Sequence, residues 1–220
     1  RSPEVMAGRK SRGAAGAAED LWTKISTGVV AEAAGDAAVD ARVVKAKETF
    51  TLVVGQKQSG KTSVITAFTN PSKDEVPKAT TALDYLFARR GAAPNLPKDV
   101  AHIWELGGGG KLSDLVSVPI QAKTLSSTCL VVVVDLSKPE NLIQGLVYWL
   151  GVVRSHVEDV AERLRDTKGT AQDLSRKAHE RFPQDHPDRG SVSPLVTPLV
   201  IVGTKYDKFK DYESVHKKVV

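Results

Sequence analysis

The apolar positions of the chain fall into two patterns, short β-branched runs and longer stretches with helical spacing. Runs that are typical of strands occupy residues 50–54, 83–87, 100–104, 129–134 and 199–202. Helical spacing is found at 61–69, at about 112–118 and from 139 to about 182, with a break near Lys168 and Gly169. Strands that alternate with helices predict an α/β fold with a mostly parallel sheet and helices on both faces.

One pair of strands departs from this alternation. Only a turn-rich segment, 91–97, separates the runs at 83–87 and 100–104, and it is too short to hold a crossover helix. These two strands are therefore predicted to pair as an antiparallel hairpin. A hairpin after the first helix favours the Ras-like fold of P-loop GTPases over an all-parallel ATPase sheet. The C-terminal strand and helix of that fold are expected to be missing from this chain, which stops at Val220.

The chain divides into three predicted parts. Residues 1–18 are rich in Gly, Ala and Arg without periodicity, and we expect them to be disordered. Residues 19–48 are predicted to form an N-terminal helical extension. Its apolar residues share one side of a helix and are Leu21, Trp22, Ile25, Val29 and Val30. The Ras-like P-loop domain follows at 49–220 and is expected to be incomplete at its C-terminus.

The junction between the first strand and the first helix carries a phosphate-binding motif. Gly55, Gly60, Lys61 and Thr62 spell G-x-x-x-x-G-K-T. Glycines let consecutive backbone N–H groups point at phosphate oxygens, the lysine reaches the β- and γ-phosphates, and the threonine hydroxyl binds Mg²⁺. The alternative is an ordinary Gly-rich turn. The predicted nucleotide-binding residues of this loop are Gly55, Gln56, Lys57, Gln58, Ser59, Gly60, Lys61, Thr62 and Ser63.

A second motif follows the last predicted strand, where Thr204, Lys205 and Asp207 form Thr-Lys-x-Asp. A carboxylate at Asp207 accepts two hydrogen bonds from the N1–H and 2-amino groups of guanine, which adenine does not offer. The alkyl chain of Lys205 can lie over the base. A strand-end turn with a solvated lysine and aspartate is the alternative.

Composition narrows the function classes. The formal net charge is +5, but basic and acidic residues are interleaved and aromatic residues make up only 5% of the chain, so nucleic acid is not an expected partner. No apolar run approaches the length of a membrane span, and we expect no membrane insertion. The single cysteine, Cys129, reads as a buried core residue of a protein in a reducing compartment. His179 and His186 lack the cysteine partners of a persuasive metal site.

The order of the motifs resembles the dynein light intermediate chains, in particular the type of cytoplasmic dynein-2. The stretches that carry the resemblance are GQKQSGKT, PKATTALDYLFARR, PKDVAHIWELGGG, VVVVDLSKPENL and PLVIVGTKYDKF, and together they extend over roughly residues 20–220. The resemblance implies a non-catalytic subunit that binds and stabilises the tail of the dynein-2 heavy chain. Its other implied partners are further dynein-2 subunits and intraflagellar transport trains, in retrograde transport and cilium assembly. The implied locations are the cytoplasm, the cytoskeleton and the cilium or flagellum, including its base.

The residues argue against GTP hydrolysis. A switching GTPase has Asp-x-x-Gly followed by a glutamine that orients the attacking water. Here Glu105 stands at the Asp position, Gly108 at the Gly position and Gly109 at the Gln position, and glycine has no side chain to position water. We therefore predict no catalytic residue. Thr80 is the candidate for the threonine that closes on Mg²⁺ and the γ-phosphate, and its neighbour Thr81 stays open as a second candidate.

Three interpretations remain open at this point. In the first, the chain is an adaptor subunit whose pocket holds GTP or GDP with Mg²⁺, or nothing. In the second, it is an active GTPase switch that regulates motor assembly. In the third, it is a P-loop ATPase or kinase that uses Asp135 as a Mg²⁺ carboxylate, against which the hairpin and Asp207 argue.

Overall fold

A five-stranded sheet with the order β2-β3-β1-β4-β5 forms the centre of the protein. The computed structural model describes residues 47–72, 77–90, 98–165 and 170–212. The strands are β1 (Glu48–Gly55), β2 (Leu83–Arg90), β3 (Asp99–Leu106), β4 (Thr128–Asp135) and β5 (Leu199–Thr204). The helices are α1 (Lys61–Thr69), α2 (Pro139–Arg163), α3 (Thr170–Glu180) and α4 (Tyr206–Phe209), with 3₁₀ segments at Gly109–Ser117 and Leu125–Ser127.

The strand directions confirm the predicted fold class. β1 pairs in parallel with both β3 and β4, and β5 pairs in parallel with β4. β2 is antiparallel to β3, with Leu83 opposite Leu106 and Arg90 opposite Asp99. Because the carboxyl ends of the four parallel strands meet at one edge of the sheet, the turns that follow β1, β3, β4 and β5 all lie there. Apart from Thr80, which precedes β2, the candidate site residues lie in these turns or in the first residues of the helices that follow them.

Helices cover both faces of the sheet, as predicted. On one face, α2 buries Trp149, Val153 and Val157 against residues such as Leu52 and Leu130. On the other face, Ile65 of α1 packs against a smaller cluster that includes Val53 and Val133. Successive strand residues point to opposite faces, so a strand between two layers needs apolar residues at nearly every position. This explains the unbroken apolar run of β4.

Some local predictions need refinement. The helix expected at about 112–118 is a 3₁₀ segment that begins earlier, at Gly109. Cys129 is only half-buried, and burial raises the pKa of its thiol to about 11, so the thiol is protonated at neutral pH. The predicted disordered segment 1–18, most of the helical extension 19–48, the turn at 91–97 and the break at 168–169 lie outside the described residues. The sequence also predicts a helix from about Asp211, and most of that stretch lies outside the described residues.

Candidate nucleotide site

Glycine is required at both ends of the loop between β1 and α1. Gly55 has φ of 152° and Gly60 has φ of 90°, a region that L-residues with side chains rarely adopt. A Cβ on Gly55 would lie 2.3 Å from the carbonyl oxygen of Val133 in the neighbouring strand. Gln58 also has a positive φ, 64°. The loop is therefore wound tightly around the end of β1, as the motif predicts.

The loop opens onto the start of α1. No side chain caps this helix, and the backbone N–H groups of Lys61, Thr62 and Ser63 donate to no acceptor among the described residues. Uncapped N–H groups and the positive end of the helix dipole favour an anion. The residues present thus fit a phosphate group at this position.

Lys61 folds back over the loop that it follows. Its ammonium donates hydrogen bonds to the carbonyl oxygens of Gly55, at 3.1 Å, and Gln56, at 2.8 Å, and the residue is only 5% exposed. Burial lowers the pKa of Lys61, and the nearby carboxylate of Glu105 partly opposes that shift. The lysine is thus held beside the predicted phosphate position, and its charge is balanced by Glu105.

Glu105 also contacts the predicted metal ligand. The hydroxyl of Thr62 donates a hydrogen bond of 2.7 Å to the Glu105 carboxylate, which is 2% exposed. Hydroxyl and carboxylate oxygens are ligands that suit Mg²⁺. These two residues would hold the ion, which when bound would neutralise phosphate charge. Among the described residues there is no cluster of three or more His, Cys, Asp or Glu residues that could hold a metal by itself.

The second predicted Mg²⁺ ligand, Thr80, lies against the residue that directly follows β3, Gly107. A Cβ on Gly107 would be 2.2 Å from the Thr80 carbonyl oxygen, so the backbone of Thr80 packs directly on the first glycine of the run. The Thr80 hydroxyl makes no hydrogen bond with Thr62 or with other described residues. Its role as a ligand stays a prediction.

The glycine run after β3 lies against the phosphate loop. Gly108 and Gly109 have positive φ values of 72° and 66°, and a Cβ on Gly109 would be 3.4 Å from the backbone nitrogen of Lys57. The hydroxyl of Tyr148 in α2 donates to the carbonyl oxygen of Gly110 at 3.1 Å. The run is therefore anchored at its far end by α2 and in contact with the loop at its centre.

The Thr-Lys-x-Asp turn is tied to the same loop from β5. The hydroxyl of Thr204 lies 2.6 Å from the carbonyl oxygen of Ser59 and 3.1 Å from that of Val134. The ammonium of Lys205 donates to the carbonyl oxygen of Gln58 at 3.0 Å. The structure thus brings both motifs together.

Lys205 also forms an ion pair with Asp135 at the end of β4. The backbone N–H and hydroxyl of Ser137 donate to the same carboxylate at 2.9 and 2.6 Å. Burial raises the pKa of Asp135, but the hydrogen bonds from Lys205 and Ser137 lower it by more, so the net direction is downward. The Asp135 carboxylate is therefore engaged by Lys205 and Ser137, whereas the ATPase interpretation requires it to bind Mg²⁺.

Asp207 stands apart from these contacts. It is the second residue of α4, and its side chain is exposed. The helix begins directly after Lys205, which has a positive φ of 57°. Its carboxylate makes no hydrogen bond or ion pair with the described residues. An exposed, unpaired carboxylate beside the tied Lys205 can receive the edge of a base, so the guanine contact stays a prediction that the geometry permits.

Sequence reasoning missed several contacts of the site. Glu105 was considered only as a replacement for aspartate, and Asp135 only as a metal ligand. The contact of Tyr148 with Gly110 had no signal in the sequence. The same holds for Gly145 of α2, where a Cβ would be 2.2 Å from the Gln56 amide nitrogen.

The strand order, the phosphate loop after β1 and the Thr-Lys-x-Asp turn after β5 define a P-loop protein of Ras-like fold. The family model of the dynein light intermediate chain (DLIC) matches residues 17–213. The chain belongs to the dynein light intermediate chain family. Among the described residues, no helix has the length and apolarity to cross a membrane.

Proteins of known name are similar to this chain over much of its length. It is 44% identical over 174 residues to cytoplasmic dynein 2 light intermediate chain 1 of Homo sapiens, covering 79% of this chain and 49% of the relative. It is 37% identical over 203 residues to the protein of that name from Bos taurus, covering 92% and 57%. Identity to cytoplasmic dynein 1 light intermediate chain 1 of Homo sapiens is 27% over 190 residues, covering 75% and 36%. The chain spans about half the length of the dynein 2 relatives it matches.

The solved structure of the dynein light intermediate chain's conserved domain is also similar. The TM-score is 0.46 at 16% sequence identity, with coverage of 78% of this chain and 61% of that chain.

Proposed function

We propose that this chain is the nucleotide-pocket domain of a light intermediate chain subunit of cytoplasmic dynein-2. In this role it binds and stabilises the tail of the heavy chain for retrograde intraflagellar transport and cilium assembly. Its further partners are the other dynein-2 subunits and the intraflagellar transport trains. It works in the cytoplasm and in the cilium or flagellum, including its base, on the microtubule cytoskeleton.

The observation that carries this proposal is the difference in similarity between the two types of light intermediate chain. Identity is 37–44% to chains named for dynein 2 and 27% to the human chain named for dynein 1. The dynein 2 matches also cover more of the curated relatives, 46–57% against 36%.

The contacts of the site support a non-catalytic role. Gly109, at the position of the water-orienting glutamine, offers only backbone, and a Cβ on it would lie 3.4 Å from the backbone nitrogen of Lys57. Catalysis of phosphoryl transfer depends on positioning and electrostatic stabilisation. A site without the positioning side chain is expected to bind a nucleotide, GTP or GDP with Mg²⁺, and to turn it over very slowly. The pocket would then serve as part of the structure.

Co-expression with the heavy-chain tail tests the subunit role. The full-length protein is expected to co-elute with the dynein-2 tail in size-exclusion chromatography and to raise the yield of soluble tail. The tail of the dynein-1 heavy chain is the matched control, and it is expected to bind less. Equal binding to both tails, or to neither, would contradict the assignment to dynein-2.

The nucleotide content of the purified full-length protein tests the pocket. The protein is denatured and the supernatant is separated by ion-exchange chromatography. Near one equivalent of GTP supports a bound, unhydrolysed nucleotide. Mostly GDP calls for kinetic measurement of hydrolysis. No nucleotide means that Lys61 and Asp207 remain only as parts of the fold.

An active GTPase switch is the second candidate function. The intact phosphate loop and the contact of Lys205 with Gln58 favour it, since both are features of a working nucleotide site. A single-turnover assay with labelled GTP, with and without the heavy-chain tail, separates the two candidates. Stimulated turnover would establish the switch, and a rate equal to that of GTP in buffer would support the structural pocket.

A further inference from the structure

A groove of about 460 Å³ opens at the edge of the sheet opposite the phosphate loop. Its walls include Glu48 and Phe50 of β1, Trp104 of β3, and the segment between the two 3₁₀ helices with Val118, Pro119 and Lys123. Glu48 is the first residue of β1 and Gly55 the last, so the groove and the nucleotide site lie at opposite ends of the same strand. The groove is large enough for several side chains, since ligand pockets begin at about 300 Å³.

Aromatic and apolar side chains form much of the groove wall and of the surface beside it. Phe50 stacks on His102 with ring centroids 4.6 Å apart, and Trp104 packs against Tyr85 at 4.8 Å. Val118 of the groove wall is 42% exposed. Tyr85 and Phe87 do not line the groove, but they lie in β2 next to β3 and are 43% and 54% exposed. An apolar surface of this kind beside a concave wall usually receives another apolar element.

We propose that the groove is the docking site of this chain's own N-terminal segment, residues 21–30. The position of β1 is the first argument. The chain enters β1 at the groove, because Glu48 lines it, and the backbone of Lys47 is fixed there by bonds to Asp99 and Val100. Whatever precedes Lys47 therefore starts from the rim of the groove.

The length of the connection allows this docking. Residues 31–47 lie between the segment and the strand, and an extended chain spans about 3.3 Å per residue. The reach exceeds the size of the domain, so the connection imposes no strain. A short tether also gives the segment a local concentration in the millimolar range, which favours an intramolecular partner over a second copy.

The chemistry of the segment matches that of the groove. Leu21, Trp22, Ile25 and Val29 recur at helical spacing and supply one apolar side. The acidic Glu19 and Asp20 directly precede them, and Lys123 is exposed in the groove wall. A basic residue in the wall can meet the acidic start of the segment.

The extent of the family match is an independent observation. The family model begins at residue 17, well before the first strand at Glu48. Residues 17–46 therefore belong to the sequence that the family shares. A segment that packs on the domain explains this shared region.

Photo-crosslinking in the full-length protein tests the proposal. A benzophenone amino acid replaces Trp22, and trypsin digestion with mass spectrometry locates the linked peptides. The expected partners are the peptides 48–57, which contains Phe50, and 112–123, which contains Val118 and Pro119. The matched control places the same amino acid at Thr27, which helical spacing predicts on the side opposite Leu21, Trp22, Ile25 and Val29, and its yield to these peptides is expected to be several-fold lower.

The assay also identifies other occupants. Mixing ¹⁵N-labelled and unlabelled protein distinguishes links within one chain from links between two copies, and repeating the reaction with the dynein-2 heavy-chain tail tests that partner. Links within one chain at a yield independent of protein concentration support the proposal. Links only between copies, links only to the heavy-chain tail, or equal yields from positions 22 and 27 would overturn it.

A groove variant gives a second measurement. Val118→Glu places a charge in the exposed wall without touching the core, so the far-UV circular dichroism is expected to be unchanged. The crosslink from position 22 to peptide 48–57 is expected to fall several-fold. An undiminished crosslink would mean that the segment lies elsewhere.

Discussion

The hydroxyl of Thr62 donates a 2.7 Å hydrogen bond to the carboxylate of Glu105, and this bond joins the start of α1 to the end of β3. Glu105 is almost fully buried and also faces the charge of Lys61, which is itself buried. One carboxylate therefore serves both motif residues that would hold phosphate and metal. It links the phosphate loop to the glycine run that begins two residues later.

Removing this carboxylate is expected to be costly. Glu105→Ala leaves the buried ammonium of Lys61 without its nearby negative charge, and uncompensated buried charges cost about 3–5 kcal/mol. Glu105→Gln should cost less, because the amide oxygen still accepts the bond from Thr62. The measurement is guanidinium denaturation of each variant.

The control for this prediction is a surface carboxylate. Glu158 pairs with Arg154 one turn away on α2 and is 58% exposed. Glu158→Ala is expected to change the free energy of unfolding by no more than about 0.5 kcal/mol. A comparable loss in the two alanine variants would contradict the compensating role of Glu105.

Replacing glycine by alanine is expected to lower the stability at position 107 and to raise it at position 151. In Gly107→Ala the new methyl group would lie 2.2 Å from the Thr80 carbonyl oxygen, so one of two backbone segments must move. We expect a loss of about 2 kcal/mol or more. In Gly151→Ala the methyl group meets nothing within 4 Å and lies inside α2, so we expect a gain of about 0.5–1 kcal/mol.

Thermal unfolding by circular dichroism compares the two variants with the parent. The midpoint should fall for Gly107→Ala and rise slightly for Gly151→Ala. If Gly107→Ala were neutral, the close packing of Thr80 on the glycine run would be absent in solution.

Lowering the pH should remove the contribution of the Asp135 carboxylate to the free energy of unfolding. Its pKa in the folded protein is lowered, with the bonds from Lys205 and Ser137 outweighing burial. A carboxyl group whose pKa is lower in the folded than in the unfolded protein stabilises the fold at any pH above its unfolded pKa, which is about 3.9. This stabilisation is lost as the pH falls through the pKa of the folded protein. The stability difference between the parent and Asp135→Asn should therefore be present at pH 6 and shrink below pH of about 4.

Urea midpoints measured from pH 6 to pH 3 provide the test. Asp159→Asn, an exposed carboxylate of α2 without an ion pair among the described residues, is the control and should leave the pH profile of the parent intact. A constant difference between the parent and Asp135→Asn over this range would mean that the ion pair with Lys205 is not formed.

The strands and the hairpin could be predicted because their signals are local. The β-branched runs of β1 and β4 end at Gly55 and Asp135, and the separation of β2 and β3 excludes a crossover helix. The phosphate loop could be predicted for the same reason, since one short motif contains all its parts. Each of these features depends on residues that are neighbours in sequence.

The connections between motifs could not be predicted in this way. Thr204 and Ser59 are 145 positions apart, and Thr62 and Glu105 are 43 apart. Which hydroxyl meets which oxygen depends on the register of β1 with β3 and β4, and that register is set by packing of the whole sheet. Sequence reasoning identified the motifs of the site, and the structure shows how they are joined.

The last prediction concerns base recognition by Asp207, and it holds if the pocket binds a guanine nucleotide. A carboxylate accepts hydrogen bonds from both N1–H and the 2-amino group of guanine. In Asp207→Asn the amide oxygen still accepts from N1–H, but the amide NH₂ now faces the 2-amino group, and two donors oppose each other. Xanthine carries an oxygen at that position and restores the complementarity.

We therefore expect Asp207→Asn to lose affinity for GDP by about tenfold or more, since a hydrogen bond to a charged group contributes about 1.5–3 kcal/mol. Affinity for xanthosine diphosphate should rise over that of the parent. Competition between the two nucleotides, followed by fluorescence of a labelled analogue, measures both. Asp211→Asn, an exposed aspartate in the turn after α4, is the matched control. Unchanged preference in Asp207→Asn would show that Asp207 does not contact the base.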